Sequence, residues 1–145
     1  MKLVIQRVSS AKLEVDGKIV SEINKGMLVL LGISNTDNGS QIEWLAKKLV
    51  DLRIFADENG KMNLSIKDVQ GEILLVSQFT LYASCQKGRR PDFNNAARPD
   101  IAEKLYLEFA EELKKNGIDP RLGIFRAHMN ISLTNDGPVT IILER

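Results

Sequence analysis

Apolar and polar positions along this chain repeat at two different periods. "KLVIQRV" near the start predicts a strand. In "AKLEVDGKIVSEI", Leu13, Val15, Ile19 and Ile23 flank Asp16-Gly17, which signals a hairpin. "GMLVLLGI" (26–33) is continuously apolar and predicts a strand covered on both faces. "GEILLVSQFTL" (71–81) is a second long apolar strand, and "RIF" and "MNLSI" are short strands around a "DENG" turn. Met129, Ile131 and Leu133 alternate with polar residues, and "LTNDGPVTIIL" (133–143) then predicts two strands joined by a turn. Asn135, Asp136 and Gly137 suit that turn. Pro138 suits the following strand poorly: it donates no hydrogen bond and restricts Gly137 before it.

Helical spacing occurs twice. Ile42, Leu45, Ala46, Leu49 and Val50 predict a helix over about 41–51, with Ser40 and Glu43 as a capping box. Pro99 opens a second helix, whose apolar face is Ile101, Ala102, Leu105, Phe109, Ala110 and Leu113. Lys114 and Lys115 occupy its last turn, and Gly117 ends it. "YASCQKGRRPDFNNAAR" (82–98) has no clean period and reads as a loop. Roughly seven strands and two helices result. Two helices cannot cover both faces of a large parallel sheet. The expected class is therefore α+β, a mostly antiparallel or mixed sheet curled like a barrel, with two main helices.

The length of 145 residues suits a single domain over 1–145. A chain of that size buries about 68–70% of its unfolded surface, enough for a sizeable core. With 20 basic and 19 acidic residues the net charge is +1, so any RNA partner must meet a local patch. A single cysteine, Cys85, allows no internal disulfide and favours a reducing compartment. "MKLVIQRV" interrupts its apolar run with Arg7 and does not resemble a signal peptide. No apolar stretch reaches the ~20 residues that cross a bilayer. A cytoplasmic protein without a membrane partner is expected.

Most catalytic signatures are absent: G-x-S-x-G, the P-loop and G-x-G-x-x-G. The sole histidine, His128, has no second histidine with which to bind metal, so no metal or cofactor is expected. A Cys85–His128 nucleophile pair is conceivable, but a loop thiol and a surface or packing histidine are the better readings. "VSQFTL" (76–81) places Ser77, Gln78 and Thr80 where an apolar strand meets a loop, a common place for sites. Taken alone, it reads better as a strand end whose polar residues satisfy backbone groups. The cluster "QKGRRP" (86–91), with Arg98 beyond it, fits phosphate contact or a solvated loop.

"SQFTL" followed by "NDGPVT" resembles the D-aminoacyl-tRNA deacylase (D-tyrosyl-tRNA deacylase) family. The resemblance spans the chain through "IQRV", "GMLVLLGI", "RIFADENGKMN", "KGRRPDF" and "PDIAEKLY". In "GIFRAHMNISL" the chain departs from the family: Arg126 stands where a small residue is usual, and His128 where a carboxylate is frequent.

The resemblance implies a homodimer that hydrolyses the ester between a D-amino acid and the terminal adenosine of tRNA. It implies a site between subunits. One subunit supplies Ser77, Gln78, Phe79 and Thr80 as the catalytic strand end, and the other inserts Gly137-Pro138 with a cis peptide bond. Met129 is then a pocket-lining residue, and Lys87, Arg89, Arg90 and Arg98 meet tRNA phosphates, with binding that weakens in salt. Side-chain pockets judge size, at about 1–3 kcal/mol per methylene, whereas handedness is a property of Cα. A stiff main-chain pair such as Gly137-Pro138 can gauge it without reading the side chain. The same gauge leaves glycyl-tRNA open to attack. Two rival readings fit these motifs: a module that holds tRNA ends or amino acids without hydrolysis, and a hydrolase for another ester.

Overall fold

The computed structural model describes residues 1–86 and 88–145. Strands β1 (Lys2–Val15) and β2 (Lys18–Ile23) form the hairpin expected at Asp16-Gly17. Both turn residues have positive φ, +50° and +74°, as a two-residue turn between twisted strands requires. The register runs on from Ala11↔Ile23 to Val8↔Gly26, so β3 (Gly26–Gly32) continues along the same edge of β1. β4 (Phe55–Ala56) and β5 (Met62–Leu64) form a separate small pair around the "DENG" turn. β6 (Glu72–Ser77) lies parallel to β3, and β7 (Arg121–Leu122) parallel to β6. β8 (Asn130–Glu144) takes the other edge of β1. Ser21 Oγ on β2 donates to the Leu122 carbonyl on β7 at 2.7 Å, drawing the ends of the sheet together. The result is the expected class, a single α+β domain whose mixed sheet nearly closes into a barrel.

The two helices cover one face of the sheet. Leu3, Ile5, Met27, Val29, Leu31, Ile73 and Leu75 pack there against α1 (Ile42–Val50) and α2 (Pro99–Lys115). Ala11, Leu13, Leu28, Leu74 and Val76 face the inside of the curl. That division explains the unbroken apolar runs of β3 and β6, which are buried on both faces.

Three expectations change. The Ser40–Glu43 capping box does not form: Gln41 stands at the N-cap with helical φ and ψ and makes no side-chain bond. The Ser40 N–H turns instead to Asn38 Oδ1 at 3.2 Å. A capping side chain needs extended backbone beneath it.

The strand expected over 71–81 stops at Ser77, and Phe79–Tyr82 is a 3₁₀ turn. Its partner β3 ends at Gly32, where Gln78 N–H makes the last link, 2.8 Å to the Leu31 carbonyl. The turn folds over Gly32, where a Cβ would meet Leu81 Cβ at 2.9 Å.

Finally, 133–143 is not a hairpin. Both arms belong to β8 and pair with β1, through Val8↔Asn135 and Gln6↔Thr140. One residue of β1, Arg7, therefore faces four of β8, and 136–139 bulge out. Asn135 Oδ1 accepts the Val139 N–H at 2.8 Å, closing the bulge so that the arms stay in line. The Gly137–Pro138 peptide bond is cis. Among the described residues there are eight strands, against the roughly seven expected.

Tyr106 on α2 is buried, and its hydroxyl donates to the Leu75 carbonyl at 2.9 Å. Burial pushes its pKa up to about 12. Folding favours the neutral phenol, so its contribution is complete below about pH 10 and is lost as pH rises through about 12. Tyr106→Phe is expected to cost about 1 kcal/mol at neutral pH. It should also shrink the alkaline loss of stability, as denaturant titrations at pH 7 and pH 11 would read.

Candidate functional site

Beyond the end of β6 a cavity of about 620 Å³ opens between three segments. Ser77, Gln78 and Phe79 form one wall, Phe93, Ala96, Ala97 and Pro99 a second, and Phe125–Met129 a third. The second wall comes from the aperiodic loop, which is stitched at both ends. Ser84 and Asp92 exchange backbone bonds of 2.7 and 2.9 Å. Further on, Asn35 N–H bonds the Asn95 carbonyl at 3.0 Å and Ala97 N–H bonds the Ile33 carbonyl at 2.9 Å. Those links hold 93–97 against the end of β3 and leave 85–86 and 88–91 at the loop tip.

The strand end supplies the polar groups. Gln78 Nε2 donates to Thr80 Oγ1. The carbonyl of Gln78 accepts from Leu81 N–H at 3.3 Å. The N–H groups of Phe79 and Thr80, at the start of the 3₁₀ turn, lie before the first such bond and have no partner inside the turn. Phe79 is exposed and meets Phe93 edge to face, ring centroids 4.9 Å apart. Met129 lies in the cavity wall, whereas Thr80, next to the wall residue Phe79, is not among the lining residues.

Arg89 and Arg90 are exposed at the loop tip. Arg98 is exposed between two wall residues, with Nε 3.3 Å from Asp100 Oδ1. Lys87 lies outside the described residues. Cys85 is exposed and does not line the cavity, so the structure does not bring it together with His128, which does.

Gly137 and Pro138 are exposed and also lie outside the lining of this cavity. A residue that sequence reasoning passed over positions them. Arg7 is 9% exposed, and its Nε donates to the Asp136 carbonyl at 2.9 Å while Nη1 donates to the Ile54 carbonyl. Nε is also 3.2 Å from Asp136 Oδ2. An arginine inside an apolar run was the available signal. Phe93 and Phe125 were missed too, since neither falls in a periodic segment.

Arg126 has φ of +64°, a left-handed conformation that costs a residue with a side chain about 1–2 kcal/mol. Only glycine, which lacks a Cβ, is free of that penalty. Among the described residues no group of three or more His, Cys, Asp or Glu side chains is placed to hold a metal ion, and no helix is long and apolar enough to cross a membrane.

The molecule is thus a small mixed-sheet domain with a cavity, poor in acid–base side chains, at the end of a buried parallel strand. A family profile described as D-Tyr-tRNA(Tyr) deacylase matches residues 4–144. The D-aminoacyl-tRNA deacylase of Thermosipho africanus (strain TCF52B) is 56% identical over 144 residues, 99% of this chain and 97% of the relative. That of Protochlamydia amoebophila (strain UWE25) is 58% identical over 144 residues, 99% of this chain and 95% of the relative. A solved structure titled "c-Myc DNA Unwinding Element Binding Protein" superposes with a TM-score of 0.95 at 44% identity, covering 100% of this chain and 99% of the other. The chain belongs to the D-aminoacyl-tRNA deacylase family.

Proposed function

We propose that this protein hydrolyses the ester joining a D-amino acid to the terminal adenosine of tRNA, as a chirality-proofreading step in the cytoplasm. Water attacks the carbonyl carbon, the bond to the ribose oxygen breaks, and that oxygen takes the proton. Free D-amino acid and tRNA leave. The observation that carries this reading is the strand end itself: the N–H groups of Phe79 and Thr80, which have no partner among the described residues, at the edge of a largely apolar cavity. An aminoacyl ester is already activated, so such a site needs little more than oxyanion stabilisation, and one well-placed donor is worth about 2.7–4 kcal/mol. Gln78 and Thr80 orient the reacting groups, and Phe79 with Phe93 offers an aromatic edge to the adenine.

The active species is a homodimer in which the partner brings its Gly137-Pro138 turn to this cavity. Two facts support that reading. Within one chain the turn does not line the cavity. β8 pairs only with β1 among the described residues, leaving a long strand edge open, with Ile142 63% exposed. Main-chain carbonyls at the turn hold the substrate amino group and leave space on one side of Cα for hydrogen alone. Arg89, Arg90, Arg98 and Lys87 meet the tRNA phosphates.

The test mixes purified protein with matched D- and L-aminoacyl-tRNA and follows release of each. Fast loss of D with survival of L is expected; equal loss of both, or of neither, overturns the reading. Glycyl-tRNA is expected to be deacylated measurably, because glycine presents no side chain for the gauge to exclude. Complete resistance with bound substrate would count against the gauge. Thr80→Ala is expected to lose no more than about threefold in kcat, one exposed hydrogen bond's worth. A trapped acyl ester on Thr80 would contradict attack by water.

A further inference from the structure

We infer that Arg126 binds the phosphodiester on the 5′ side of the terminal adenosine, an inference that rests on the cavity being the site of the aminoacyl-adenosine end. Among the described residues that line the cavity, Arg126 is the only permanent cation, and none is Asp or Glu. The remaining lining is apolar apart from Ser77, Gln78 and His128. A nucleoside fits such walls, and the phosphodiester anion on its 5′ side needs a counter-charge. Arg126 is exposed and makes no ion pair among the described residues. Arg98, between the wall residues Ala97 and Pro99, is not itself in the lining and pairs with Asp100 on the surface at 3.3 Å.

The backbone strengthens the case. At φ +64° glycine is the residue without penalty, yet this chain carries an arginine. A left-handed side-chain-bearing residue held at a cavity rim points to use rather than packing. Arg126 both lines the cavity and is exposed, and a planar guanidinium fork matches two phosphate oxygens.

The probes are two non-hydrolysable ligands, a D-amino acid amide-linked to 3′-amino-3′-deoxyadenosine, with and without a 5′-methylphosphate. The parent protein is expected to prefer the phosphorylated ligand by about tenfold. Arg126→Gly should bring that ratio close to one, and Arg126→Lys should keep part of it. The log–log salt slope for the phosphorylated ligand should fall by about 0.7 in Arg126→Gly, one phosphate contact's worth. Against D-aminoacyl-tRNA the glycine variant is expected to raise KM about tenfold. Glycine suits the conformation, so the variant folds. A parent ratio of one, a ratio retained in Arg126→Gly, or an unchanged KM overturns the assignment while hydrolysis of D-aminoacyl-tRNA still stands. A parent protein that leaves D-aminoacyl-tRNA intact overturns both readings together.

Discussion

Gly137→Ala is expected to lower kcat/KM on D-aminoacyl-tRNA by at least about a hundredfold, the usual consequence of shifting a positioning group by an ångström. The cause is steric and conformational at once. Gly137 has φ of +136°, which L side chains rarely adopt. A Cβ there would lie 2.7 Å from Val139 Cγ2 and 3.0 Å from both Arg7 Nη2 and Val139 N. None of these neighbours yields easily. Val139 is 8% exposed and tied through its N–H to Asn135, while Arg7 is held by two carbonyls. The turn itself must therefore move, at a stability cost of about 1–3 kcal/mol. Thermal melts and initial rates measured below the transition separate the two effects. A variant that melts earlier but works normally while folded would mean that the turn is only structural.

How far the sequence leads depends on whether a signal is local. The β1–β2 hairpin announces itself through Asp16-Gly17, and α2 through Pro99 and its apolar stripe, because turn chemistry and periodicity are properties of neighbouring residues. The bulge at 136–139 is different. Asn135, Asp136 and Gly137 do mark a break, but whether the arms pair with each other or with a third strand depends on β1, which is long enough to take both. Likewise nothing in "VSQFTL" marks Ser77 as the last strand residue; the end of β3 at Gly32 decides it. The strand-end wall of the cavity was legible because it adjoins a buried apolar run. Phe93, Ala96 and Phe125 reach the same cavity from loops whose placement rests on long-range bonds such as Ala97 N–H to the Ile33 carbonyl. Arg7 carried a readable oddity, a charge within an apolar strand, without naming its partners.

Those partners make Arg7→Met the second large effect. Methionine keeps much of the volume but donates nothing. The Asp136 and Ile54 carbonyls lose their side-chain donor, and the ion pair to Asp136 Oδ2 is lost with it. Arg7 is nearly buried while Asp136 is half exposed, so the expected loss lies between the surface and buried limits, about 2–4 kcal/mol in a denaturant titration. The guanidinium also bridges the bulge of β8 to the chain segment before β4, so its removal frees the Gly137-Pro138 turn as well as weakening the fold. Activity should fall with stability, by a factor comparable to that of Gly137→Ala. Arg7→Lys keeps the charge but cannot reach two carbonyls as a planar fork, so it should fall between the parent and Arg7→Met. Because both substitutions release the same turn, their effects should not add: the double variant should lose much less than the product of the two single losses. Full additivity would mean that Arg7 stabilises the fold without positioning the turn.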